Sequence, residues 1–166
     1  MNETINSTSD EKRELLRHTV ATLAYRGDKA VSNAPAGFDA FSADDKTRTP
    51  GEILAHIGDL LDWAVGLAKG EYVFHESAPL PWEQEIARFF DALQAFDACL
   101  VSKTPLGYPV EKLFQGPIAD ALTHVGQISI LRRIAGAPIR GENYFKAEIV
   151  AGRVGAAQST TRVEFD

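Results

Sequence analysis

The chain has 166 residues, a length that suits one domain with one core. Its residues are 45% apolar and 24% charged, a globular composition rather than a disordered one. The formal net charge of -6 is diffuse and there is no basic stripe, so no nucleic-acid partner is expected.

The single cysteine, Cys99, excludes an intramolecular disulfide and any sulfur-rich metal site. The N-terminus is polar, without the apolar core of a signal peptide, and residues 1–9 are expected to be disordered. The most apolar stretch, 53–68, is broken by His56, Asp59 and Asp62, so no membrane span is expected and a cytoplasmic location is the simplest.

Four segments carry helical periodicity. The first covers 10–26, with Leu15, Leu16, Thr19, Val20 and Leu23 on one side and Gly27 as its stop. The second opens on Thr49-Pro50-Gly51-Glu52, a threonine N-cap, a proline at the first helical position and a glutamate three residues after the cap. Ile53, Leu54, Ile57, Leu60, Leu61, Ala64 and Leu67 then form a wide apolar face that ends near Gly70.

The third begins at Pro81, with Glu83 and Glu85 complementing the helix dipole. Its Trp82, Ile86, Phe89, Phe90, Leu93, Phe96 and Leu100 keep the helical spacing. The fourth spans 117–135 and stops at Gly136-Ala137-Pro138. Apolar residues surround most of its cylinder, so it is expected at the centre of the fold. The fold class read from this pattern is all-α, a single four-helix bundle over 1–166.

Residues 27–48 form a long connection of the kind that walls a site. The tail, 139–166, is expected to pack over one end through Tyr144, Phe145, Ile149 and Val150, with 148–154 able to form a short extended piece.

No phosphate loop, dinucleotide fingerprint or nucleophile elbow occurs. His75-Glu76 opens like a zinc-protease motif, but Pro79 stands where the second histidine belongs. His18 and His75 read as structural or surface residues. His56 is different: it lies between Ile53 and Leu60, where an unpaired buried imidazole would cost roughly 1–3 kcal/mol. His124 is embedded between Leu122 and Ile128, and Asp120 precedes it by one turn on the same face.

Counted from Pro50 and Pro117, His56, Asp120 and His124 lie roughly 9, 5 and 10 Å deep. In an up-down-up-down bundle the second and fourth helices run parallel, which brings the three side chains into one layer. Both helix N-termini would then point at the site and favour an anionic ligand. Two imidazoles and a carboxylate suit Zn, Fe(II), Ni or Mn with positions left for water and substrate. The plainer reading is that Asp120 hydrogen-bonds His124 and His56 is a satisfied core residue.

The stretches Thr49-Pro50-Gly51-Glu52-Ile53-Leu54-Ala55-His56-Ile57-Gly58-Asp59-Leu60, Ala121-Leu122-Thr123-His124-Val125-Gly126-Gln127-Ile128 and Leu131-Arg132-Arg133-Ile134-Ala135-Gly136-Ala137-Pro138 resemble the DinB/YfiT-like superfamily. The resemblance covers almost the full length and implies four helices, one histidine on the second, and a His-x-x-x-His pair before Gly-Gln on the fourth. Members bind a divalent metal, often Ni or Zn, and include thiol-dependent transferases and isomerases. By this resemblance His56 matches the single histidine and His124 the second of the pair. Asp120 stands in place of the first, and Val125 replaces a common arginine.

The resemblance implies a divalent-metal-dependent hydrolase or thiol-dependent transferase acting on a small molecule, with a thiol as one expected substrate, and working as a homodimer. An aromatic-rich third helix suits a dimer contact. Gln127 is a candidate for orienting a ligand or a metal-bound water. Arg132 and Arg133 read as a solvated or dimer-contact face. Asn143 and Tyr144 could reach the site if the tail folds back, and Trp63 and Trp82 read as packing residues. The competing function is a non-catalytic stress-response or binding protein with the same bundle and no functional metal.

Overall fold

The computed structural model describes residues 2–165, with side chains from Asp10 onward. Helix α1 (Asn2–Val31) is longer at both ends than the periodicity implies, and it begins inside the stretch expected to be disordered. Gly27 does not stop it. A Cβ at Gly27 would lie 2.4 Å from Phe89 Cζ, so glycine serves close approach of another helix rather than termination. The helix ends past Val31, where Asn33 adopts a left-handed φ of 52°. Its apolar stripe is Leu16, Val20 and Leu23, whereas Leu15 is 69% exposed.

A short 3-10 turn, Phe38–Ala40, lies within the following connection. Phe38 is buried and meets Trp82 edge-on at 5.7 Å, so this segment plugs one end of the bundle. Helix α2 (Pro50–Ala68) starts as its sequence says: Thr49 Oγ1 accepts from the Glu52 N–H at 3.3 Å, and Glu52 Oε2 accepts from the Thr49 N–H at 2.7 Å. Thr49→Ala is expected to lower stability by about 1 kcal/mol in urea denaturation.

Helix α3 (Trp82–Val101) begins after Pro81, as expected. Its Phe89, Phe90 and Phe96 are buried in the core, so they offer no dimer surface. The last rod starts earlier than Pro117 implies. It comprises α4 (Val110–Leu113), a π turn (Phe114–Ile118) and α5 (Ala119–Ile134). Pro117 lies inside the rod, where its ring removes one backbone bond and crowds the preceding turn; the wider π turn accommodates it. Ile130 and Ile134 are exposed, so α5 is a flank of the bundle and not its centre.

Helix directions follow from the contacts. Arg17 pairs with Asp97 and Gly27 abuts Phe89, so α1 and α3 are antiparallel. Lys12 pairs with Glu111 and Arg132 reaches Ala30, so α1 and α5 are parallel. Trp82 sits with Phe38 at the start of α2, while Cys99 and Ser102 share a cavity with Ala68 and Lys69 at its end. Thus α2 and α3 run parallel. His56 meets His124 while Trp63 faces Gly116, so α2 and α5 are antiparallel, contrary to the expected up-down-up-down order.

Parallel α2 and α3 need a connection that travels the bundle's length. Residues 71–81 supply it as an extended, exposed strap.

Among the described residues there is no strand, only an isolated bridge between Glu142 and Glu164 rather than an extended piece at 148–154. In the tail, Tyr144 packs on Tyr25 and lies under Arg26, and Ile149 touches the core. Phe145 is 98% exposed and Val150 is exposed, so neither helps to close the end; Val154 is buried instead. No helix among the described residues is long and apolar enough to cross a membrane.

Candidate metal centre

On α2 the side chains Glu52, His56, Asp59 and Trp63 follow helical spacing along the edge of the apolar face. His56 is therefore half-buried and looks toward α5 rather than into the core. On α5, Asp120 and His124 are one turn apart and Gln127 lies one turn further, beside the core row Ala121, Val125, Ile128 and Leu131. The π turn just before Asp120 sets the rotational phase of this face against α2.

The structure brings His56, Asp120 and His124 together: one ligand atom from each lies within 4.8 Å of the others. His56 Nε2 is 3.9 Å from Asp120 Oδ2, and His124 Nε2 is 3.4 Å from Asp120 Oδ1. The two imidazoles meet edge to face, with centroids 4.8 Å apart. Ligand atoms sharing a tetrahedral ion at 2.0–2.1 Å lie roughly 3.4 Å apart, so the set is close to what one ion needs.

The hydrogen bonding suits a ligand set. Gln127 Oε1 accepts from His124 Nδ1 at 2.9 Å, so Nε2 is the ring nitrogen that faces Asp120. Burial, then His124 and the Arg48 guanidinium, hold His56 below its usual pKa against the opposing pull of Asp120 and Asp59. Its imidazole is thus neutral at pH 7, the form that ligates. Asp120, 48% exposed on its side chain, leaves one side of the group open to solvent.

A cleft of about 350 Å³ adjoins His56, lined by Arg48, Glu52 and Asp59 on one side and by residues 76–79 of the strap on the other. Phe74 of the strap stacks edge-on against His56 at 6.1 Å and against Trp63 at 5.7 Å. The strap, rather than residues 27–48, is the main wall; from the earlier loop only Arg48 lines the cleft. Its helix-breaking Gly70, Pro79 and Pro81 around Tyr72 and Phe74 were the signal for an extended segment, but nothing local ties it to His56.

Other expectations separate from the site. His18 and His75 are exposed and do not belong to the group. Tyr144 sits over α1 and Asn143 bonds Val163 within the tail, so neither is among the grouped residues. Arg132 is buried, not a solvated face: it donates to the carbonyls of Ala30, Ser32, Asn33 and Ala137. Arg133 is exposed.

Nor does a shared field from two N-termini act on the centre, because α5 runs antiparallel to α2 and continues the rod begun by α4 and the π turn, so it presents no free N-terminus there. What remains is the N-terminal half of α2 and the three side chains themselves. A search of protein families, curated proteins and solved structures finds no match to this chain.

Proposed function

We propose that the chain is a divalent-metal-dependent enzyme of the DinB-like type, with His56, Asp120 and His124 as ligands. It acts on a small molecule by hydrolysis or thiol transfer. The observation that carries this reading is the convergence of the three ligand atoms within 4.8 Å beside an open cleft. The donors, two imidazoles and one carboxylate, fit Zn, Ni or Fe(II).

When bound, such an ion supplies Lewis acidity and lowers the pKa of a coordinated water or thiol. Gln127 holds the His124 tautomer, Phe74 covers one edge of His56, and the open cleft between α2 and the strap receives the substrate. A cytoplasmic homodimer belongs to this reading, with exposed Leu15 on α1 and Phe114 and Ile130 on the last rod as apolar surface. The second reading, a non-catalytic binding or stress-response protein, draws on the exposure of Asp120 and on its standing where the superfamily has histidine.

Protein purified without a histidine tag is expected to carry about one equivalent of divalent metal by elemental analysis, and chelator is expected to lower its Tm. His56→Ala is expected to abolish that metal while the helical circular dichroism stays intact. Untagged protein without stoichiometric metal, with the same Tm in chelator, sinks the enzyme reading. Metal that persists in His56→Ala shows that the ligands are others.

A further inference from the structure

Arg88 of α3 sits between α2 and the strap and is not among the three candidate ligands, although its Nη1 reaches the Ala55 carbonyl at 3.4 Å. Its Nη2 donates to Asp59 Oδ1 and to Asp62 Oδ2, both at 2.6 Å, and its Nη1 lies 3.7 Å from Glu85 Oε2. The side chains of Asp59 and Glu85 are almost wholly buried, and Arg88 is the cation that compensates both. Each carboxylate has a second task. Asp59 Oδ2 accepts from the Ser77 N–H at 2.9 Å, and Glu85 Oε1 accepts from the Leu80 N–H at 2.8 Å.

Between residues 72 and 81, among the described residues, Ser77 and Leu80 supply the backbone N–H hydrogen bonds. Both go to carboxylates that Arg88 compensates. Gly58 belongs to the same arrangement, since a Cβ there would stand 2.9 Å from the Arg88 guanidinium carbon.

We infer that Arg88 is a positioning residue for the metal centre: through Asp59 and Glu85 it seats the strap, and so sets Phe74 against His56 and residues 76–79 along the cleft. The inference rests on the proposed metal site for its importance but not for its test. An extended segment with two tethers is a low-stability element whose position depends on them. With Arg88 removed, Asp59 and Glu85 are buried without a compensating cation, and the strap loses its registration.

The experiment compares Arg88→Met, Arg88→Lys and Ser77→Pro with the parent chain. Ser77→Pro removes the N–H that Asp59 accepts and leaves every bundle charge paired, so it reports on the strap even if Arg88→Met fails to fold. On metal-free protein, limited proteolysis within 71–81 is expected to quicken at least tenfold in Arg88→Met and Ser77→Pro, and less in Arg88→Lys. The His56 ring-proton resonances are expected to lose the shift imposed by Phe74.

On protein loaded with Ni²⁺ alone, affinity is expected to fall about tenfold, the scale of losing support around a ligand. Unchanged cleavage and unchanged His56 resonances in Ser77→Pro overturn the inference. Because those two readouts need no metal, a parent chain that binds no Ni²⁺ overturns the proposed function while the seating of the strap is still decided.

Discussion

Glu142→Ala will lower stability by about 3 kcal/mol, read as a fall in urea midpoint at constant slope. The Glu142 carboxylate is buried under the tail, where Lys29 donates to Oε2 at 2.7 Å and Tyr25 donates to Oε1. The Val163 N–H also donates to Oε1, at 3.3 Å. Deleting the carboxylate leaves a buried ammonium and a buried phenol short of partners. Lys29 keeps Glu164 at 2.8 Å, which holds the loss near the lower end of the range for broken buried pairs.

The same group gives a pH dependence. Burial pushes Glu142 up, but the hydrogen bonds from Lys29, Tyr25 and Val163 outweigh it, and its pKa is lowered. A carboxylate with a depressed folded pKa contributes stability that is present above its unfolded value and lost as pH falls through the folded one. The parent chain is therefore expected to lose urea stability as pH drops below about 4.5, and Glu142→Ala is expected to show a shallower acid loss. Equal slopes for the two proteins would show that Glu142 is not the group responsible.

Arg132→Met will cost about 3 kcal/mol, because one side chain closes two helix ends. Its Nη1 donates to Ala30 at 3.2 Å and Ser32 at 3.0 Å, and its Nη2 to Asn33 at 3.2 Å, at the C-terminal end of α1. Its Nε donates to Ala137 at 2.9 Å, just past α5. These carbonyls have no further helical turn to bond them, and a cation there also meets the negative end of two dipoles.

Methionine keeps the packing over Phe38 and removes the donors. Arg132→Lys is expected to recover less than half the loss, since an ammonium cannot span the acceptors that a planar fork reaches. Calorimetry on the pair checks both values; a change below 1 kcal/mol in Arg132→Met would mean that water replaces the guanidinium.

Residues whose role is local were readable before the fold. The Thr49–Glu52 box closes within one turn, and Asp120 and His124 share a face because they are four apart on a helix. The four apolar periodicities likewise set the all-helical class. Gly27 marks the limit of that reading, since glycine permits both a helix stop and a close approach. The choice between them is made by Phe89, 62 positions away in the chain.

The amino-acid sequence by itself thus determined the helices, the start of α2, and the candidate trio of His56, Asp120 and His124. These depend on spacings within a few residues, where backbone geometry alone dictates who shares a face. The tertiary structure decided that α2 runs antiparallel to α5, that a strap and not the first loop walls the cleft, that Arg88 clasps carboxylates of two helices, and that Arg132 is buried against two helix ends. Such facts depend on which surfaces meet across tens of residues. A guanidinium in solvent and one clasping carboxylates or helix ends look the same until the chain has closed around it.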